Sequence, residues 1–166
     1  MDVTIGIPEE GQNQIAANKA AAVRVLEEGF NQGNLSILPE LVGAGATDHQ
    51  HPDEADFVAH LGAAIAAMRT AFPDLHFAVD VVIGEGDWVA MHSVMTGTHL
   101  GPLRAPLLPP GGPPMIPPTG KAISVPHMHM IRTQAGRGVE LFHLMDTFAL
   151  MRQLGVLPGR VGTGLA

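Results

Sequence analysis

The spacing of the apolar residues changes once along this chain, at Phe72–Pro73, and that change limits what the chain can fold into. Before it the spacing is helical. Ile15, Ala22, Val23, Leu26 and Phe30 fall on one face, joined by the aliphatic stem of Lys19, and Gly29 and Gly33 weaken and then end the helix. A second, short helix is predicted over residues 35–42, brief or kinked because Pro39 lies inside it. ATDHQHPDEADF then reads as a polar loop, with Asp53 capping a third helix whose face is Phe57, Leu61, Ile65 and Met68. In AFPDL, Pro73 stops that helix and pushes Phe72 toward extended backbone.

After Pro73 the period is two. Leu75, Phe77, Val79, Val81 and Ile83 alternate with His76, Ala78, Asp80 and Val82, and GEGD supplies a hairpin turn. Pairing Ile83 with Trp88 predicts that Trp88, Ala90, His92, Val94 and Thr96 share the face of Leu75, Phe77 and Val79; a slip of one residue reverses this. A second hairpin is predicted around QAGRG, from residues 121–133 to residues 139–147, and a helix ending in MRQLG closes the fold with Gly155 as its cap. Helices followed by an antiparallel sheet make an α+β domain. Residues 1–12 read as an N-terminal arm, 13–158 as one domain, and 159–166 as a tail. Residues 101–118, with eight prolines and three glycines, read as an extended insertion.

Composition excludes several classes of function. A net charge of −7 with only 15% charged residues suits neither nucleic acid nor an anionic membrane surface. With no cysteine there is no disulfide, thiolate nucleophile or cysteine-ligated metal. No apolar run reaches the roughly 20 residues of a membrane span, and the expectation is a cytoplasmic protein.

AFPDL, GDWVAMHSVMTGTHLGP, PTGK, an Arg-turn-Gly hairpin, and VELFHLMD followed by RQLG occur in that order. From about Ala20 to Leu157 the chain resembles the SnoaL-like polyketide cyclases, also called ester cyclases. The resemblance implies a nuclear-transport-factor-like cone: a curved antiparallel sheet packed on N-terminal helices around a single deep pocket. It implies a cofactor-free enzyme that closes a ring in a polyketide-like, apolar natural-product intermediate by acid/base catalysis, and a homodimer or homotetramer. Relatives that open epoxides provide one alternative, and a non-catalytic ligand-binding or dimerisation module another. Asp146 matches the family's acid/base position. The chain departs from the pattern in having Phe142 where the family has tryptophan, a longer proline-rich insertion, and many histidines.

Asp146 lies among Leu141, Phe142, Leu144, Met145, Phe148 and Leu150, where desolvation would raise its pKa toward neutrality. The competing structural role is to cap the helix that follows. His127 and His129 share one strand face. A turn pairing Gln134 with Arg137 predicts that Asp146, Leu144 and Phe142 line that face and that His143 points away; a register shift by one would instead oppose His127 and His143 and remove the histidines from the face of Asp146. Catalysis is therefore expected of Asp146, His129 and His127, and substrate contact of His51, Trp88, His92, Phe142 and Leu144. His127, His129, His143 and Asp146 are metal-ligand types, but this register separates His143 from the rest, and no metal is assigned.

Overall fold

The computed structural model describes residues 9–104 and 114–157. Helix α1 (Glu9–Arg24) begins inside the segment expected to be an arm and runs on as a π-helical stretch, Val25–Asn31. A 3-10 turn (Leu35–Ile37) leads into α2 (Leu38–Leu41), whose first turn carries Pro39, where a missing N–H costs nothing. Helix α3 spans Phe57–Ala71. Its N-cap is Asp56, which accepts the Ala59 N–H at 3.0 Å, rather than the expected Asp53. Phe72 ends α3 in extended backbone, as the proline after it demands.

Strands β1 (Val42–Asp48), β2 (His76–Glu85), β3 (Trp88–Thr98), β6 (Ala122–Gln134) and β7 (Arg137–Met145) form one curved sheet in the order β1-β7-β6-β3-β2. The sheet is mixed rather than purely antiparallel, because β1 runs parallel to β7. VGAGATD has no alternation of large apolar residues, so β1 carries no strand signal of its own. It is held by the parallel pairing and by Val42 and Ala46 packing with Phe57 and Leu141. At the edges of the proline-rich insertion, β4 (Leu103–Arg104) pairs with β5 (Met115–Ile116). Residues 105–113 lie outside the described residues, as do 1–8 and the expected tail 159–166. Helix α4 (Thr147–Leu154) closes the chain on a left-handed Gly155. No helix among the described residues is long and apolar enough to cross a membrane.

The helices cover the concave side of the sheet. Leu26, Phe30, Ile65, Met68 and Phe72 pack there against Phe77, Met91, Met95 and Val125 in one continuous core. Two β-bulges decide which strand residues face it. In β2, Val79 pairs with Ser93 and Val81 with His92, leaving Asp80 as the extra residue. Phe77 and Val79 face the core, but beyond the bulge Val82 and Gly84 do so instead of Val81 and Ile83. The absence of a side chain at Gly84 lets α1 lie close, since a Cβ there would sit 2.9 Å from Ile15 Cγ2. Trp88, Ala90 and His92 therefore lie on the convex face, contrary to the uninterrupted register expected. Trp88 is 36% exposed and His92 is bonded to Asp80 at 2.6 Å.

The second bulge lies in β7. Gln134 pairs with Arg137 as expected, but Thr133 pairs with Gly138 and Arg132 with Glu140, so Val139 has no partner. Every later residue of β7 is turned over relative to an unbroken ladder. Leu141, His143 and Met145 face inward, and Phe142 and Leu144 face outward. The turn holds because Ala135 and Gly136 both take positive φ, 50° and 76°.

A histidine-lined cavity on the concave face

Between α1, α3 and the sheet lies a cavity of about 610 Å³. Its walls are mostly apolar, among them Leu26, Phe57, Leu61, Met68, Met91 and Met145. Polar groups concentrate where the end of β1 meets β6 and β7. His129 pairs across strands with His143, and His127 with Met145, so His127, His129 and His143 share the concave face. The rings of His127 and His129 stack with centroids 4.1 Å apart. The Nε2 of His127 is 3.4 Å from Nδ1 of His143, and Nε2 of His143 is 3.4 Å from Oδ2 of Asp48.

Asp48 is the last residue of β1 and only 5% exposed. Its Oδ1 accepts the Gln50 N–H at 2.9 Å in an Asx turn, and the Asp48 carbonyl accepts the His51 N–H at 3.0 Å. That turn folds His51 back so that its Nδ1 lies 2.9 Å from Asp48 Oδ2. The Gln50 side chain then fastens the turn to β7, its Oε1 accepting the His143 N–H at 2.8 Å. Burial pushes the Asp48 carboxyl pKa up, but the hydrogen bonds from His143, His51 and the Gln50 N–H outweigh it. The group is held well below the ordinary carboxylate range, and Asp48 is a buried carboxylate.

His127 and His129 have the opposite character. Burial, with the neighbouring imidazoles His129 and His143 adding to it, lowers the pKa of His127 to about 2. Burial and His143 lower that of His129 to about 3. Both rings are neutral, and the Nδ1 of each is buried without a hydrogen-bond partner. Both residues line the cavity, although these two nitrogens are themselves occluded.

Of the residues expected in the pocket, the structure brings His127, His129 and His51 together, with Leu144 at the rim. It places the others elsewhere. Asp146 is exposed, does not line the cavity, and accepts the Ala149 N–H at 2.8 Å as the N-cap of α4. The desolvation expected of it is absent because the Val139 bulge turns its neighbours Phe142 and Leu144 to the convex side. Phe142 stacks there on His49, with centroids 3.9 Å apart, and Trp88 and His92 lie on the same side. Sequence reasoning passed over Asp48 and Gln50 and turned His143 to the opposite face. The available signal was Asp-x-x-His ahead of a proline, a spacing at which an Asx turn returns the imidazole to the carboxylate.

The sequence profile of the SnoaL-like polyketide cyclase family matches residues 20–154. Among solved structures, TsrD from Streptomyces laurentii superposes with a TM-score of 0.72 at 22% identity, over 86% of this chain and 97% of that one. IdmH from Streptomyces antibioticus gives 0.66 at 27% identity, over 84% and 99%. A SnoaL-like polyketide cyclase from Agrobacterium tumefaciens gives 0.65 at 14% identity, over 83% and 98%. No curated protein is a significant match to the chain.

Two predictions follow from this geometry. Asp146→Ala lowers stability in urea denaturation by about 1 kcal/mol, the usual worth of an N-cap, and Asp146→Asn by less because it keeps an acceptor. The second concerns pH. The lowered pKa values of His127 and His129 mean that the unfolded chain binds more protons than the folded one below about pH 6.5. Their stabilising contribution is complete above that value and declines as pH falls toward about 3. Urea titrations at about pH 7 and about pH 4.5 should show this loss, and His129→Leu should reduce it.

Proposed function

The chain belongs to the SnoaL-like polyketide cyclase family, and we propose that it closes a ring in a small, apolar, polyketide-like intermediate by acid/base catalysis without a cofactor. The observation carrying this reading is the Asp48–His51 pair at 2.9 Å on the wall of an apolar cavity. With Nδ1–H donated to Asp48, His51 keeps a lone pair at Nε2. A carboxylate behind an imidazole fixes the tautomer and stabilises the imidazolium that forms.

In an aldol-type closure, His51 Nε2 removes the acidic proton between two carbonyls, and the enolate carbon attacks a third carbonyl folded against it. A C–C bond forms, and the new alkoxide takes a proton back from His51. The neutral ring of His129 is suited to donate a hydrogen bond from Nε2 to the enolate oxygen, as its low pKa keeps it uncharged throughout, while His127 spends its Nε2–H on His143 Nδ1 at 3.4 Å. The apolar walls hold the substrate in a near-attack shape, and an intramolecular reaction asks little more of the protein.

The test is ring closure of a linear 1,3-diketone bearing a further carbonyl within ring-closing reach, followed by chromatography and mass spectrometry. Asp48→Asn and His51→Gln should each lower the rate by about 100-fold or more in folded protein, while Asp146→Asn stays within about tenfold of wild type. Loss of activity in Asp146→Asn with retention in His51→Gln contradicts the assignment.

The proposed assembly is a homodimer through the convex face of the sheet. Two cross-strand rows, Ile83–Ala90–Met130–Phe142 and Val81–His92–Met128–Leu144, run side by side over four strands. Val81, Ile83, Met128, Met130 and Leu144 are all at least 43% exposed. An apolar sheet face of this extent suits a second copy packed sheet on sheet across a twofold axis. Met130→Glu should yield a monomer in sedimentation while wild type is a dimer; a monomeric wild type contradicts the proposal.

A further inference from the structure

Asp48, His51 and His143 each offer one ligand atom, and these atoms lie within 4.8 Å of one another. Two of the three separations already have the length of a coordination edge. His51 Nδ1 to Asp48 Oδ2 is 2.9 Å and His143 Nε2 to Asp48 Oδ2 is 3.4 Å. Donors that each lie about 2.1 Å from one ion are about 3.0 Å apart at a right angle and about 3.4 Å apart at the tetrahedral angle. Only the edge between the two imidazoles, at most 4.8 Å, has to contract.

The surroundings supply what a metal site needs behind its ligands. The second oxygen of Asp48 is held by the Gln50 N–H at 2.9 Å. The backbone of His143 is anchored on Gln50 Oε1 at 2.8 Å. The far nitrogen of His143, Nδ1, faces His127 Nε2 at 3.4 Å. All three ligand residues line the cavity, so an ion they hold could take a further ligand from it. His127 and His129 line the same cavity.

We infer that Asp48, His51 and His143 form a site for a divalent transition-metal ion, and that the ion and the proposed proton transfer exclude each other. Two neutral imidazoles and one carboxylate favour borderline ions such as Zn²⁺ or Co²⁺ over Mg²⁺ or Ca²⁺, which take oxygen. Binding moves the proton of His51 from Nδ1 to Nε2, that of His143 from Nε2 to Nδ1 and that of His127 from Nε2 to Nδ1, with no net release. The relocated Nδ1–H of His143 then donates to His127 Nε2. His51, protonated at Nε2, no longer acts as a base. This inference shares residues with the proposed cyclase chemistry, but its binding test needs no substrate.

The full-length protein is dialysed against a chelator and titrated with Co²⁺, following the visible ligand-field bands and the melting temperature. The expected result is one Co²⁺ per chain, a higher Tm with the ion, and at least about 100-fold weaker binding in His51→Gln and in Asp48→Asn. The side chain of His51 is 30% exposed, so its variant keeps the test valid if the buried Asp48 does not tolerate substitution. His49→Gln, which removes a neighbouring histidine bonded instead to Glu140, should bind as wild type does. Absence of saturable bands, or equal affinity in wild type and His51→Gln, overturns the site. Where ring closure is measurable, a stoichiometric amount of Co²⁺ should suppress it, and full activity of the Co²⁺-loaded protein overturns the exclusion.

Discussion

Val139 has no partner on β6, and the side chains of β7 beyond it are inverted because of that one residue. His143 faces the cavity for this reason, next to His127 and His129. With His143 inward, its Nε2 comes within 3.4 Å of Asp48, and the end of β1 becomes part of the site. The bulge also lets β7 satisfy both faces at once. Leu141 enters the small core of Val42, Ala46 and Phe57, while Glu140 stays outside, paired with Arg132 and His49. An unbroken ladder would bury Phe142 and Leu144 in the cavity and expose all the polarity of His143 to water.

The remaining architecture converts that local inversion into a chemical environment. The helices shield the concave face, so Asp48 and five imidazoles, counting His60, border a mostly apolar space. Their charges diverge accordingly. Asp48 is ionised because three hydrogen bonds outweigh its burial; His127 and His129 are neutral because burial, with the neighbouring imidazoles, lowers their pKa. A fixed negative charge and neutral hydrogen-bonding rings thus share one site, with no lysine or arginine on its walls.

The features legible in the sequence were the local ones. The change of period at Pro73 gives helices before strands; the positive-φ pair Ala135–Gly136 fixes the second turn; Gly155 caps α4. The family could be reached because its motifs are consecutive. What remained hidden depends on one extra residue in a strand or on a pairing distant in sequence. Asp80 and Val139 are ordinary strand residues with no mark that identifies them as bulges, yet each reverses the facing of everything beyond it. β1 is rich in glycine and alanine and acquires its place only by pairing with a strand almost 100 residues later. Asp146, legible through its motif, is seen in the structure as a helix cap, and Asp48, with no motif, sits at the cavity.

The central claim is that Asp48 orients His51 as a base. Long-range proton–nitrogen NMR of the imidazoles reads this directly in the resting protein. His51 is expected as the Nδ1–H tautomer with an unprotonated Nε2, and Asp48→Asn should abolish that preference. A His51 protonated at Nε2 in metal-free wild type, or a tautomer indifferent to Asp48→Asn, would contradict it.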